Sequence, residues 1–280
     1  MDTVILDTER KQQILDDVEE YLSADAARWY ADRGIPYRRG YLFYGPPGTG
    51  KTSMSFAISG AFGLDIYCIS LLEPSITEES LSLLFNALPS RCVVLLEDID
   101  SAGLQSRAVA ASDYEYLDDE RGMHLFQDDT QTLHPARSLV RDQSSPRSNV
   151  SLSGLLNAID GVASQEGRVL ILTTNCPDKL DPALTRPGRI DMKVMFPLAD
   201  CKQIRELFVR MYQKTRDGHA GSPRKTTEKN VQERELEEIA DEFSSRLKDQ
   251  KLSPAQVQGF LLKRKNDPRR ALKEVAELYE

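Results

Sequence analysis

The chain has 280 residues, of which 40% are hydrophobic and 29% are charged, and its formal net charge at pH 7 is -8. This composition fits a globular protein with a sizeable core, arranged as one large domain with an appendage or as two domains. The acidic balance argues against a nucleic-acid partner, because proteins that bind nucleic acid usually carry a basic surplus or a basic stripe.

The sequence also shows no pattern typical of a membrane-spanning or a targeting segment. No apolar run reaches the roughly 18 to 20 residues that span a bilayer. The first residues, MDTVILDTERKQQ, contain acidic side chains and no apolar stretch of the kind found in targeting segments. We therefore expect any membrane anchor to lie outside this chain.

The first part of the chain alternates between helix and strand patterns. Apolar residues at helical spacing predict a helix over 9–23, and a second short helix is expected over 24–33. Continuous apolar runs predict buried strands. The remaining predicted elements of this part are strands at 41–44, 65–70, 92–96, 168–174 and 193–196 and helices at 53–62, 78–87 and 151–162. Alternation of this kind predicts an α/β fold, with a parallel sheet flanked by helices.

After Pro197 the pattern becomes helical only. Helices are predicted over 200–212, 233–246, 253–263 and 268–278, which indicates a small C-terminal all-helical domain. The predicted boundaries are 1–198 for the large nucleotide-binding domain and 199–280 for the small one. Two polar stretches, 103–148 and 214–232, are predicted to be flexible insertions.

A glycine-rich segment directly after the first strand fits the pattern G-x-x-x-x-G-K-[ST]. Its glycines allow the backbone N–H groups to turn inward toward phosphate oxygens, and the following helix adds the positive end of its dipole. Lys51 is expected to contact the β- and γ-phosphates of ATP, and the Thr52 hydroxyl to ligate Mg²⁺. The predicted phosphate loop consists of Gly45, Pro46, Pro47, Gly48, Thr49, Gly50, Lys51 and Thr52.

Carboxylates follow the buried strand at 92–96. P-loop ATPases use such groups to hold Mg²⁺ and to polarise the attacking water. We expect Glu97 to take the metal-side role and Asp98 the water-activating role, with Asp100 as a further candidate for either.

A polar side chain also follows the strand at 168–174. Asn175 is expected to lie between the γ-phosphate and the water, since an amide both donates and accepts hydrogen bonds. Arg186 and Arg189 come next, beside Pro187 and Gly188. We expect both arginines to act as fingers that reach the γ-phosphate held by a neighbouring subunit. The alternative is an intrachain salt bridge to Asp181 or Asp191.

Other candidates are given ordinary roles. Trp29 is expected to be a packing residue. Arg269 and Arg270 are expected to be solvated charges rather than a γ-phosphate sensor. The three histidines, His124, His134 and His219, are expected to be solvated rather than ligands.

These motifs, in this order and spacing, resemble the AAA family of ATPases from about residue 4 to residue 197. Three runs are similar to the BCS-type mitochondrial AAA chaperones in particular: WYADRGIPYRRGYL at 29–42, LEDID at 96–100 with the reversed acidic pair, and SGLLNAIDGVAS at 153–164. The resemblance implies a homo-oligomeric ring that binds ATP and Mg²⁺, at the mitochondrial inner membrane. The implied client is a folded iron–sulfur protein that crosses the membrane to join the cytochrome b–c complex.

The resemblance also leaves alternatives open. Family members carry a membrane helix and a further domain, so this chain is expected to be an AAA region or a shortened relative, with any membrane contact made through a segment it lacks. The insertion at 103–148 leaves room for a paralogue with another client. A second class of function is a nucleotide-gated scaffold that binds ATP but scarcely hydrolyses it, which the reversed pair Glu97–Asp98 supports.

Overall fold

The computed structural model describes residues 4–103, 148–161, 166–213, 223–247 and 251–279, and for 223–232 it describes the backbone alone. Most of the predicted insertion at 103–148, residues 214–222 of the other insertion, residue 162 of the predicted helix at 151–162 and all three histidines lie outside these residues. The predictions made for them therefore stay predictions.

Five parallel strands form one sheet in the order β2-β3-β4-β1-β5. Their bounds are β1 Arg39–Tyr44, β2 Asp65–Ser70, β3 Cys92–Glu97, β4 Val169–Thr174 and β5 Met192–Met195. All four strand pairs are parallel, so every strand ends at the same edge of the sheet. The predicted α/β class is confirmed.

Helices cover both faces of the sheet, because alternate residues of each buried strand point to opposite sides. On one face Tyr41 and Phe43 pack with residues of α1 (Thr8–Leu22) and α3 (Lys51–Phe62). On the other face Leu42 and Leu96 pack with residues of α4 (Glu78–Ala87) and α5 (Leu152–Asp160). A short helix, α2 (Ala26–Asp32), follows α1.

The C-terminal part is helical, as predicted. It contains α6 Cys201–Tyr212, α7 Pro223–Arg246, α8 Pro254–Leu262 and α9 Pro268–Lys273, followed by a 3-10 turn at Val275–Leu278. These helices share a separate apolar core around Phe208 and Phe243. Side-chain caps from Asp200, Ser253 and Asp267 begin three of the helices.

Two predictions about this part are wrong. α7 begins at Pro223, so the second half of the predicted loop at 214–232 is helical. The reason is that Lys, Glu, Gln and Arg, although polar, are good helix formers. The predicted helix at 268–278 ends at Lys273 and continues as a 3-10 turn.

The segment before α1 has a role that sequence patterning did not reveal. Val4 and Leu6 are buried in the core of the sheet, whereas Ile5 is buried in the core of the helical domain. Alternate residues of this short segment therefore join the two cores. Among the described residues, no helix is both long and apolar enough to cross a bilayer.

Candidate functional site

The site lies at the carboxyl edge of the sheet, where ligands of open α/β sheets usually bind. β1 runs into the predicted phosphate loop, β3 runs into the acidic residues, and β4 ends next to Asn175. Because β3, β4 and β1 are neighbours, the sheet brings these three sequence-distant motifs together.

The phosphate loop depends on glycine for its shape. Gly45 has φ of 139°, and a Cβ atom there would lie 2.2 Å from the carbonyl oxygen of Phe196. Gly50 has φ of 100° and caps the N-terminus of α3. L-residues rarely adopt such angles, so the loop needs glycine at both positions.

Lys51 lies inside this loop and is only 7% exposed. Its ammonium group donates hydrogen bonds to the carbonyl oxygens of Gly45 (2.8 Å) and Pro46 (2.9 Å) and to Asn175 Oδ1 (2.7 Å). Burial lowers the pKa of Lys51, and the negative charges of Asp98 and Asp100 oppose this effect. The result is a fixed cation at the place where the loop would hold phosphate.

The acidic residues have three different environments. Glu97 Oε1 accepts a hydrogen bond from the Thr52 hydroxyl at 2.7 Å. Asp98 has φ of 47°, donates its N–H to Thr173 Oγ1 at 3.1 Å, and accepts from Asn175 Nδ2 at 3.3 Å. Aspartate is one of the few non-glycine residues that populate this left-handed region.

Asp100 is held by the end of β4. Its Oδ1 accepts from the Thr174 hydroxyl at 2.8 Å and from the Asn175 backbone N–H at 3.2 Å. Asp100 therefore contacts the backbone of Asn175 at the end of β4.

A cavity of about 320 Å³ opens above these groups. Its lining includes Lys51, Thr52, Asp98 and Asn175, but neither Glu97 nor Asp100. The opposite wall comes from the start of the chain and from the helical domain: Val4, Ile5, Leu207, Arg210, Pro254, Ala255 and Gln258. The sequence motifs predict the phosphate side but not this second wall, because its residues are scattered along the chain and form no local motif.

The helical domain also touches the phosphate loop directly. The N–H of Ala255 donates to the Gly48 carbonyl oxygen at 3.1 Å. A Cβ atom on Gly48 would lie 3.0 Å from Ser253 Oγ and from Ala255 Cβ. The two domains therefore share the cavity and meet at its edge.

Thr52 at the cavity floor and Glu97 behind it form a donor set that fits Mg²⁺. Magnesium prefers hard oxygen ligands and is usually held by one or two protein groups together with substrate phosphates. The Thr52 hydroxyl and the Glu97 carboxylate already lie 2.7 Å apart. Both expected metal ligands therefore lie within reach of one ion.

The two arginines behave differently. Arg186 is exposed, and its side chain shows no hydrogen bond or ion pair with any residue that the structure describes. Arg189 Nε donates to Asp160 Oδ2 at 2.6 Å, and Arg189 Nη1 donates to the Ala183 carbonyl at 2.6 Å. The intrachain alternative therefore applies to Arg189, although its partner is Asp160 of α5 and not a nearby aspartate of its own loop. The finger role of Arg189 stays a prediction that this pairing does not favour.

Three residues given ordinary roles can now be placed. Arg269 pairs with Glu235, and Arg270 pairs with Glu274 at 2.9 Å. Neither arginine lines the cavity. Trp29 is 49% exposed, so its side chain is less buried than the predicted packing role implies.

Comparison with known proteins gives two family matches. The model of the ATPase family associated with various cellular activities (AAA) matches residues 41–124 and 116–198. The model of the mitochondrial chaperone BCS1-like ATPase lid domain matches residues 201–277. The first of these covers more than half of the chain.

Individual relatives are similar over nearly the whole chain. The probable mitochondrial chaperone bcs1 of Schizosaccharomyces pombe is 38% identical over 278 residues, which are 99% of this chain and 50% of that protein. The mitochondrial chaperone BCS1 of Homo sapiens is 37% identical over 270 residues, covering 96% of this chain and 52% of that protein. That of Bos taurus is 36% identical over 280 residues, covering 99% and 55%. The chain thus spans about half the length of these curated relatives.

Proposed function

The chain belongs to the AAA family of ATPases and carries a BCS1-like lid domain, and from this premise we propose that it hydrolyses ATP in the shared cavity. The observation that carries the proposal is the meeting of Lys51, Thr52, Asp98 and Asn175 around one cavity. These residues come from three separate motifs, since Lys51 and Thr52 belong to the phosphate loop, Asp98 follows β3 and Asn175 follows β4. Chance glycine-rich turns do not assemble such a set.

We assign the binding of the triphosphate to the phosphate loop. Its backbone N–H groups and the Lys51 ammonium would offset the phosphate charges. Thr52 and Glu97 would hold Mg²⁺, which supplies further charge neutralisation when bound. The hydrogen bonds that Lys51 now makes to the loop carbonyls and to Asn175 would be exchanged in part for bonds to phosphate.

Asp98 is the best candidate to orient and deprotonate the attacking water. It is the one member of the acidic group that lines the cavity, since Glu97 is tied to Thr52 and Asp100 to the end of β4. Asn175 would place the water, because its amide contacts both Asp98 and Lys51. A positioned carboxylate base contributes typically about 10² to 10⁴ in rate.

We propose that the site is completed by a second subunit. Arg186 is exposed, while Arg189 is held by Asp160 within its own chain. Arg186 is therefore the residue that a homo-oligomeric ring would offer to a neighbouring nucleotide. An arginine supplied in trans accounts for about 10³ to 10⁵ in rate in other phosphoryl-transfer enzymes.

The cellular role is proposed from the relatives. The curated relatives are named mitochondrial chaperones, and this chain matches about half of their length. We propose that the ATPase cycle moves or assembles a client protein at the mitochondrial inner membrane. We further propose that this client is a folded iron–sulfur protein. A nucleotide-gated scaffold with little turnover is the second candidate, favoured by the reversed order of Glu97 and Asp98.

Steady-state ATP hydrolysis separates these candidates. The wild-type chain should turn over ATP, and Lys51→Ala should lose about 100-fold or more of this rate, because the fixed cation is gone. Lys179→Ala is the matched control, since Lys179 is an exposed lysine outside the cavity. A wild-type rate equal to that of Lys51→Ala, with ATP still bound, would establish the scaffold instead.

A further inference from the structure

A second cavity of about 320 Å³ lies between α1, α2 and the start of β1. Its lining includes Asp17, Glu20, Asp25, Trp29, Tyr30 and Arg39. It shares no lining residue with the nucleotide cavity. Because Arg39 begins β1 and the phosphate loop follows the end of β1, the two cavities lie at opposite edges of the sheet.

The charge on this cavity is unbalanced. Asp17 is neutralised by an ion pair with Arg39 and also accepts a hydrogen bond from the Tyr41 hydroxyl. Glu20 and Asp25 are exposed, and their side chains show no hydrogen bond or ion pair with the part of the chain that the structure describes. Three carboxylates against one guanidinium leave an excess of two negative charges.

Aromatic rings form the other part of the wall. The rings of Trp29 and Tyr30 lie 5.4 Å apart at 68°, and Tyr30 also meets Tyr21 edge-on at 6.2 Å. The guanidinium of Arg33 lies 4.0 Å from the centre of the Trp29 ring. Trp29 lines the cavity, whereas Arg33 does not.

We propose that this cavity binds the guanidinium group of an arginine on another polypeptide. Aromatic surface and unpaired carboxylates together attract a cation, and a planar guanidinium can stack on a ring while it donates to a carboxylate. The chain's own arginines already make both kinds of contact with lining residues, since Arg39 pairs with Asp17 and Arg33, from outside the cavity, lies over Trp29. The cavity volume is at the lower end of the range for small-ligand sites, about 300 to 1,000 Å³, which suits one side chain and its flanking backbone.

Trp29 makes the proposal directly testable. The chain contains one tryptophan, so its fluorescence reports on this cavity alone. The whole chain is titrated with acetyl-Gly-Arg-Gly-amide, and with the same peptide carrying citrulline, which is neutral and nearly the same shape. The arginine peptide should give a saturable change in emission, and the citrulline peptide should bind at least about fivefold more weakly. The absence of a saturable change, or equal binding of the two peptides, would overturn the proposal.

Two double variants test the carboxylates. Glu20→Gln with Asp25→Asn should weaken binding of the arginine peptide by about threefold to tenfold, because two partly exposed charge contacts are lost. Glu19→Gln with Asp32→Asn removes the same charge from exposed positions on the same two helices outside the cavity, and should change binding by less than about twofold. An equal loss in both pairs would reduce the effect to general electrostatics and overturn the site.

Two further arms identify the occupant. The lysine form of the peptide should bind more weakly than the arginine form, and equal binding would overturn the choice of a guanidinium. Trp29 emission is also followed on dilution of the chain without peptide. A shift on dilution would mean that a second copy covers the cavity, which contradicts binding of another polypeptide. None of these measurements depends on ATP hydrolysis, so they stand apart from the proposed function.

Discussion

Lys51 Nζ donates a hydrogen bond to Asn175 Oδ1 across 2.7 Å and so joins the phosphate loop to the tip of β4. The two residues are 124 positions apart in the chain. Asn175 also donates to Asp98, so one amide connects the fixed cation with the proposed base. The chemistry of the site therefore depends on the register between β1 and β4, in which Tyr44 pairs with Thr174.

Substitutions of Glu97 and Asp98 should affect different steps, metal binding for Glu97 and catalysis for Asp98. Glu97→Gln removes a charged partner of Thr52 and should raise the Mg²⁺ concentration that gives half-maximal activity. Asp98→Asn should leave ATP affinity nearly unchanged and lower kcat by about 10² to 10⁴, since a cavity-lining base is lost. Both are checked by ATPase assays across Mg²⁺ concentrations, with nucleotide binding measured separately. The assignment fails if Glu97→Gln has the larger effect on kcat at saturating Mg²⁺.

Substitution of Arg186 should lower turnover, whereas substitution of Arg189 should lower stability. Arg186→Ala should lower turnover by about 10³ or more without loss of stability, because Arg186 is exposed and offered to a neighbour. Arg189→Ala should instead destabilise the single chain by about 1 kcal/mol, because Asp160 loses a partly exposed partner. ATPase assays and urea unfolding distinguish the two.

Mixing tests the action in trans. Lys51→Ala subunits and Arg186→Ala subunits are each expected to be inactive, but some interfaces of a mixed ring combine an intact loop with an intact Arg186. Activity should return on mixing, in rings of confirmed assembly. Mixing Lys51→Ala with Lys51→Ala/Arg186→Ala subunits is the control and should restore nothing. No recovery in the first mixture would argue for a site complete within one chain.

Arg168 should be important for stability, not for turnover. It is 8% exposed and donates to the backbone carbonyls of Phe85 (2.6 Å), Leu88 and Pro89 (2.9 Å). It thereby satisfies carbonyl groups at and beyond the end of α4. Arg168→Met should leave these groups unpaired and lower the free energy of unfolding by about 2 to 4 kcal/mol. Arg28→Met, on the exposed surface of α2, is the control for urea unfolding and should change it little.

Glu78 should contribute stability that depends on pH. Hydrogen bonding from the Ser151 side chain, and from the Ser151 backbone N–H to Glu78 Oε1 at 3.0 Å, lowers the pKa of Glu78. A carboxyl group whose pKa is lower in the folded state stabilises the fold above its unfolded pKa, and this contribution is lost as the pH falls through the folded value. Wild type should therefore be more stable than Glu78→Gln at pH 7, and the difference should shrink in acid. Urea unfolding of both proteins at pH 7 and at acid pH measures this difference in stability. A difference that grows in acid would contradict the proposed contribution of Glu78.

Sequence alone determined the motifs that are local. The loop glycines are required by backbone angles at Gly45 and Gly50, and Lys51 and Thr52 follow them along the chain. The strands β2 and β3 and the helix α4 could be located because apolar runs, turn residues and capping residues lie at neighbouring positions in the chain. Local physical chemistry is enough to locate such elements in the chain, although their pairing and packing come from tertiary contacts.

Only the tertiary structure decided how these parts are used. The roles of Glu97, Asp98 and Asp100 depend on which of them meets Thr52, the cavity or the end of β4. The pairing of Arg189 with Asp160 depends on α5, 29 positions away. The second wall of the nucleotide cavity and the aromatic cavity beside Trp29 arise from segments that meet only after folding. Such contacts join residues that are distant in the chain. Because an apolar side chain can pack against many others, no local sequence pattern predicts which pairs will meet.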